Sequence, residues 1–291
     1  MKVHLIDGTY ELFRQHFGQV SRHTLEVANA ATSGVLSSTL QMISQGATHI
    51  GVASDHVIES FRNDLWPGYK TSAGMPEELL TQIPLMERAL VAMGVTTWAM
   101  VEYEADDALA AAAAIADADQ RVEQVIIVTA DKDLGQCVRG TRVVQYDRRK
   151  DETIDEAGVI AKFGVSPASI PDYLALVGDT ADGFPGLAGW GAKSAATVLA
   201  TYPHLEDIPK TSGSWNLGGL RGADKLSSTL QSQFADALLF RRIATVECDV
   251  PVGSVDDWRW AGPTPEFEVV AAELGAPHLA ERANRLFAKL G

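Results

Sequence analysis

The chain has 291 residues, 46% of them hydrophobic and 21% charged, with mean hydropathy near zero, which is enough to bury a large core and excludes a low-complexity disordered chain. Its net charge of −14 argues against a surface that is basic all over, yet says nothing of where single cations lie. The most apolar stretch, residues 108–116, is far short of the roughly 20 residues that a membrane-spanning helix needs.

Residues 3–7 form a short apolar run ending in Asp7-Gly8. It reaches an acid too early for a signal peptide, so the expected location is cytoplasmic, with no membrane partner. Residues 34–44 read as a helix with Val35, Leu36, Leu40, Met42 and Ile43 on its apolar face. Residues 49–54 read as a strand ending at Asp55. Leu79, Leu80, Ile83, Met86, Leu90 and Met93 recur near a 3.6 period and predict one helix over 76–93. Residues 106–118 are an alanine-rich helix, and 124–129 and 141–146 are strands. Strands separated by helices indicate a parallel α/β sheet. After residue 151 strand signals fade until 246–250. Gly178, Gly183, Gly186, Gly189 and Gly191 break the helical pieces between, which places a helical subdomain at about 171–245. Residues 211–222 are polar and glycine-rich, and 265–291 read as terminal helices. Cys137 and Cys248 are too few for a disulfide framework or a metal cage.

The acids sit in informative places. Asp7, Asp55, and the pair Asp131 and Asp133 each follow a predicted strand, and in a parallel sheet those strand ends share the edge where ligand crevices form. Glu104, Asp106 and Asp107 open the alanine-rich helix, where the helix dipole alone would favour acids. Asp179 and Asp182 would, taken alone, be a polar turn. Nine carboxylates on one edge would repel strongly, and hard divalent cations with oxygen ligands, magnesium or manganese, are the natural remedy. Two such ions are a device for phosphoryl chemistry. No Walker A loop, Ser/His/Asp set or H-E-x-x-H spacing is present. Leu5-Ile6-Asp7-Gly8-Thr9 overlaps the D-x-D-G-T motif of haloacid-dehalogenase-type phosphatases, but Leu5 occupies the place of the required first aspartate.

Three motifs together resemble the 5′-nuclease, or flap endonuclease, family. They are Tyr103-Glu104-Ala105-Asp106-Asp107, Thr129-Ala130-Asp131-Lys132-Asp133-Leu134, and the run from Gly178-Asp179-Thr180-Ala181-Asp182-Gly183 to Gly189-Trp190-Gly191-Ala192-Lys193. Phe61-Arg62 and Gly68-Tyr69-Lys70 match as well. The pattern is nearest to the N-terminal 5′–3′ exonuclease domain of bacterial DNA polymerase I and runs over essentially the whole chain. The chain ends where a polymerase module would begin, so a free-standing nuclease is expected.

The resemblance implies a PIN-like α/β nuclease domain at 1–170, with a helical arch at about 62–85. It implies a helical DNA-binding subdomain at 171–291, with a helix-three-turn-helix element at about 171–205. Two or more divalent ions would be held by Asp7, Asp55, Glu104, Asp106 and Asp107 at the first site and by Asp131, Asp133, Asp179 and Asp182 at the second, with Asp131 shared. Lys70 would contact the scissile phosphate, and Tyr69 would stack on a terminal base. Arg14 and Arg62 would meet DNA, and Gly186, Gly189, Gly191 and Lys193 would grip duplex phosphates, with a potassium ion at their hairpin. Each has a plainer reading: a helix–turn–helix packing corner, a surface lysine beside a core aromatic, a helix-surface arginine. Two positions depart from the family pattern: Ala73 replaces the arginine three residues after the arch lysine, and Gly183 replaces an asparagine. The activity implied is divalent-metal-dependent 5′–3′ exonuclease or flap endonuclease cleavage of DNA at a 5′ flap, nick or free 5′ end, by a monomer. A non-catalytic DNA-binding relative and an RNA-directed PIN-type ribonuclease are the alternatives.

Overall fold

A computed structural model describes residues 1–20 and 29–290. Six strands form one sheet: β1 (Lys2–Asp7), β2 (His49–Asp55), β3 (Thr96–Met100), β4 (Gln124–Val128), β5 (Val143–Asp147) and β6 (Glu152–Ile154). Their order is β3-β2-β1-β4-β5-β6, all parallel except β6, which runs antiparallel to β5. The helices are α1 (Gly8–Val20), α2 (Ala30–Ser44), α3 (Phe61–Leu65), α4 (Glu77–Leu80), α5 (Gln82–Ala92), α6 (Ala105–Ala118), α7 (Glu156–Phe163), α8 (Ile170–Val177), α9 (Ala192–Leu199), α10 (Ala223–Ser232), α11 (Phe234–Ala244), α12 (Phe267–Glu273) and α13 (His278–Leu290). None of the described helices is long and apolar enough to cross a membrane.

The strands are apolar on both faces because both faces are covered. Along β1 and β4 the alternation of side chains sends Leu5, Val125 and Ile127 into a core with α6, and Ile6 and Val128 into a core with α2 and α5. A third core, in the helical unit, gathers Leu174, Leu176, Phe184, Val198, Leu230 and Phe240. The terminal helices return to the sheet: Phe267, Val270, Leu279 and Ala283 join the core of α2 and α5, so 267–290 pack with the sheet unit and not with the helical subdomain to which the sequence reading assigned them.

Several expectations change. Residues 246–250 form no strand, because their backbone is claimed by side chains: Val246 N–H donates to Gln136 Oε1 (3.2 Å) and Glu247 N–H to the Asp107 carboxylate (2.8 Å). The single helix over 76–93 divides into α4 and α5. Pro84 has no N–H to return to the Leu80 carbonyl, and its ring crowds that position. The stretch expected as a helical arch holds only α3 and α4, of five and four residues, before α5 begins, and it packs down through buried Tyr69 and Leu79. β3 and β6 were not legible, the first because Thr96 and Thr97 blunt its apolar pattern and the second because it is three residues long.

Candidate metal and phosphate site

The strand order reverses between β1 and β4, and a crevice beyond the carboxyl ends of the strands is expected there. A cleft of about 600 Å³ occupies that place, lined by Asp7, Asp55, Glu104, Asp106, Asp131 and Asp182. Asp7 ends β1 and caps α1: its Oδ1 accepts from Tyr10 N–H (2.8 Å) and its Oδ2 from Thr129 Oγ1 (2.9 Å). Asp55 ends β2, and its Oδ1 accepts from Ala105 N–H (2.8 Å), which ties the strand to the start of α6. Asp131 follows β4 and accepts from Asp133 N–H (2.9 Å). Beside it, Asp133, Asp179 and Asp182 bring one carboxylate oxygen each within 4.8 Å of one another.

These carboxylates are held where ionisation is costly. Burial, with Asp55 adding to it against the Tyr10 hydrogen bond, pushes Asp7 up to about 7. Burial, then Asp131 and Asp7, raises Asp106 well above the ordinary range. Burial, then Asp131 and Asp182, does the same to Asp133. Burial also raises Asp55 and Asp182, with Lys70 opposing. The buried Oδ1 of Asp133 has no hydrogen-bond partner. A buried lone pair without a donor, among carboxylates that repel one another, fits a cation with hard oxygen ligands.

Lys70 stands at the wall of this cleft. Its Nζ lies 2.7 Å from Glu104 Oε2 and 3.2 Å from Asp182 Oδ1. Burial works against its charge, but Glu104 and Asp182 outweigh that and hold the ammonium well above lysine's usual value. Burial likewise opposes the Glu104 charge, and Lys70 and Arg62 overcome it, so Glu104 stays below the usual range. Lys132, paired with Asp179, and Lys162 also line the cleft. Lys132 lies inside the Thr129-Ala130-Asp131-Lys132-Asp133-Leu134 motif, whereas Lys162 sits on α7 with no local pattern to single it out. Thr9 and Thr129 are the other residues the sequence reading missed: each hydroxyl fixes a strand end, Thr9 Oγ1 accepting from Asp55 N–H (2.8 Å).

Four expected site residues lie elsewhere. Asp107, next to Asp106 on α6, is fully buried. It accepts from Arg62 Nη1 (2.8 Å) and Nη2 (2.7 Å), Glu104 N–H (2.9 Å) and Glu247 N–H (2.8 Å), so its oxygens are saturated away from the cleft. Arg62 is 3% exposed and also donates to the Ile243 (2.8 Å) and Thr245 (3.1 Å) carbonyls, so its guanidinium is a structural tie and is closed to DNA. Tyr69 is 3% exposed with its hydroxyl donating to Glu104 (3.2 Å), which leaves no ring face for a terminal base. Arg14 is paired with Glu11 along α1 (3.0 and 2.8 Å) and does not line the cleft.

The departure at Gly183 has a local cause. At φ +82° it lies so close to residue 68 that an added Cβ would sit 2.0 Å from the Gly68 oxygen, and its own carbonyl accepts from Trp66 Nε1 (3.0 Å). This contact seats Lys70 against Asp182, whose carbonyl accepts from Lys70 N–H (3.0 Å). Further along, α8, residues 178–191 and α9 form a helix–loop–helix. Gly178 and Gly186 face each other so closely that a Cβ on Gly178 would sit 2.7 Å from the Gly186 nitrogen and one on Gly186 2.3 Å from the Gly178 nitrogen. Gly189, Gly191 and Lys193 line a separate cavity at the start of α9.

Comparison with known proteins agrees with this architecture. The family model described as 5′-3′ exonuclease, N-terminal resolvase-like domain, matches residues 2–164, and that described as 5′-3′ exonuclease, C-terminal SAM fold, matches residues 165–266. DNA polymerase I of Mycobacterium leprae is 30% identical over 261 residues, covering 87% of this chain and 28% of that protein. DNA polymerase I of Bacillus caldotenax is 30% identical over 292 residues, 97% of this chain and 32% of that protein. The chain thus spans about a third or less of these relatives. Among solved structures, T5 5′-exonuclease with zinc bound superposes with a TM-score of 0.67 at 17% identity, covering 99% of both chains. Flap endonuclease-1 of Methanococcus jannaschii gives 0.62 at 16% identity, covering all of this chain and 93% of that one. At such identities the superpositions establish the fold, a parallel sheet with a helical unit appended. The family models run from residue 2 to residue 266, and the chain belongs to the 5′–3′ exonuclease family.

Proposed function

We propose that this chain is a divalent-metal-dependent, structure-specific 5′ nuclease that hydrolyses DNA phosphodiesters at free 5′ ends, nicks or flap junctions. The observation that carries the reading is the convergence of Asp7, Asp55, Asp106, Asp131 and Asp182 on one cleft at the sheet's switch point, with Asp133 and Asp179 beside it. Asp7, Asp55, Asp106 and Asp131, with Glu104 at the edge, would hold one ion, and Asp131, Asp133, Asp179 and Asp182 a second. Magnesium or manganese suits an all-oxygen set. These carboxylates would hold the ions, and the chemistry supplied there would be activation of a water and stabilisation of charge on the attacking and leaving oxygens.

The chain's own part is positioning. Thr9 and Thr129 lock two strand ends, so the carboxylates keep their places without rearrangement. Lys70, kept protonated by Glu104 and Asp182, presents a full charge to a phosphate entering the cleft. The sheet unit, about 1–170 with 267–290 packed on it, would cut, and the helical unit between them would hold duplex. Potassium at the 186–191 hairpin belongs to the same reading, supported by the left-handed turns at Gly186 and Gly189 (φ 66° and 83°). So do a monomeric state and a cytoplasmic location.

The test is cleavage of 5′-labelled flap, nicked and single-stranded DNA with Mg²⁺, with Mn²⁺ and in EDTA. Cutting near the 5′ junction that vanishes in EDTA and in Asp131→Ala is the expected result. Undiminished cutting in chelator, or no cutting of any DNA with either ion, would overturn the proposal.

A further inference from the structure

Asp55, the last residue of β2, is also held from outside the cleft. Its two neighbours in the chain, Ser54 and His56, both bond one carboxylate on α5. Ser54 Oγ donates to Glu87 Oε1 (2.7 Å), and His56 Nδ1 lies 2.7 Å from Glu87 Oε2. A carboxylate only accepts, so Nδ1 carries the proton of that bond. Glu87 is 8% exposed and does not line the cleft. Its helix neighbours Ile83, Met86 and Leu90 belong to the core of α2 and α5. A buried carboxylate is costly in such surroundings, and no lysine or arginine pairs with Glu87 among the described residues. The two donors that flank Asp55 stand in their place.

The arrangement serves Asp55 more than the core, which an apolar side chain at position 87 would suit better. Side chains alternate along β2, so Val52 and Ser54 share the face toward α5, and Ala53 and Asp55 share the face toward α6. Asp55 itself is held by α1 and α6, since its N–H donates to Thr9 Oγ1 (2.8 Å) and its Oδ1 accepts from Ala105 N–H (2.8 Å). Glu87 adds α5, through the residues on either side. The chain turns sharply at this point, with His56 N–H donating to the Ser54 carbonyl (3.1 Å). Without Glu87, the fully buried Ser54 hydroxyl has no acceptor, and the half-exposed His56 is released to solvent. The turn that aims Asp55 then loses two anchors at once.

We propose that Glu87 is a positioning residue for the ion assigned to Asp7, Asp55, Asp106 and Asp131: by clamping Ser54 and His56 it sets the angle at which Asp55 meets that ion. The inference rests on the nuclease reading and adds to it a residue outside the cleft. Groups that orient a metal ligand contribute about 10–100-fold to ion affinity, and one that acts through the backbone belongs at the lower end.

The experiment is Mn²⁺ titration of the metal-free protein, read by the paramagnetic resonance of free Mn²⁺, beside steady-state cutting of flap DNA over the same Mn²⁺ range. Glu87→Leu keeps the volume and takes away both bonds. It should raise the Mn²⁺ midpoint about tenfold in both readouts, regain most of its kcat at saturating Mn²⁺ and leave KM for DNA in place. Glu87→Gln can accept from Ser54 and donate to Nδ1 of the other imidazole tautomer, so it should return the midpoint to near wild type. Ile43→Val, a small cavity in the same core, should leave the midpoint unchanged. If Glu87→Leu does not fold, His56→Ala carries the test, removing one anchor and raising the midpoint about threefold. A midpoint within about twofold of wild type, a Glu87→Gln no better than Glu87→Leu, or an equal rise in Ile43→Val would overturn the clamp. A wild type that binds Mn²⁺, with the midpoint raised in the variant, but cuts no DNA would overturn the nuclease reading and leave the clamp standing. A wild type that takes up no Mn²⁺ would overturn both.

Discussion

In the proposed nuclease reading, Lys70 and Asp7 are the two residues on which the chemistry of the cleft turns. Lys70 is the sole cation between residues 64 and 87, and Ala73 gives it no neighbour to share a scissile phosphate. One preorganised charge of this kind is worth about 2.7–4 kcal/mol in a transition state. Lys70→Ala should therefore lower the single-turnover rate by roughly 10²–10³ at saturating enzyme. A loss within about threefold would pass the role to Lys132 or Lys162. Asp7 predicts a pH dependence of the metal-free fold. Its folded pKa, about 7, lies above its ordinary value of 3.8, so the folded state holds the extra proton between those limits. That contribution is complete below about pH 4 and is lost as pH rises through 7, with an upper bound of about 4 kcal/mol. In chelator, denaturant unfolding should show wild type losing stability from pH 5 to pH 8 relative to Asp7→Asn. A difference that stays flat across that window would refute the assignment. At this scale the sequence was only partly legible. Asp106 and Asp107 are neighbours on one helix and differ by 100° of rotation, which sends one to the cleft and the other to Arg62. Nothing in the local pattern of the first turn tells the two apart.

At the scale of elements, the Arg62–Asp107 pair joins α3, α6 and the end of α11, because Arg62 reaches the Ile243 and Thr245 carbonyls as well. Removing one partner leaves a charge buried without compensation, a loss of about 3–5 kcal/mol. Arg62→Ala should lower the melting midpoint by many degrees, whereas a DNA-contacting arginine would change binding and leave melting alone. Gly178→Ala should also destabilise the chain, since its φ of +81° is left-handed and a Cβ would sit 2.4 Å from the Pro185 backbone. A melting curve superimposed on wild type would show that the hairpin relaxes freely. The strands that lead to Asp7, Asp55 and Asp131 were legible because each is a dense apolar run with an acid at or shortly past its end. The role of Arg62 was not, because its partners lie 45, 181 and 183 positions away and only the folded chain brings them together.

For the whole molecule, the crowded carboxylates make the fold a reporter of cations. Manganese or magnesium, binding the folded state alone, should raise the melting temperature in proportion to the logarithm of concentration. Asp133→Asn combined with Asp179→Asn should blunt that rise, and an equal rise in the variant would place the ions elsewhere. The return of α12 and α13 to the sheet has a consequence for the order of events in folding. Phe267, Val270 and Leu279 fill a core that begins with Ile6, and Trp260 Nε1 donates to the Met93 carbonyl (2.9 Å). The sheet unit is thus closed by the last tenth of the chain, across sequence separations of more than 250 residues. Such closure is slow, and during synthesis the cleft-bearing half must wait, partly uncovered, until the helical half has already emerged. The segment that holds DNA in this reading can finish folding before the segment that cuts it.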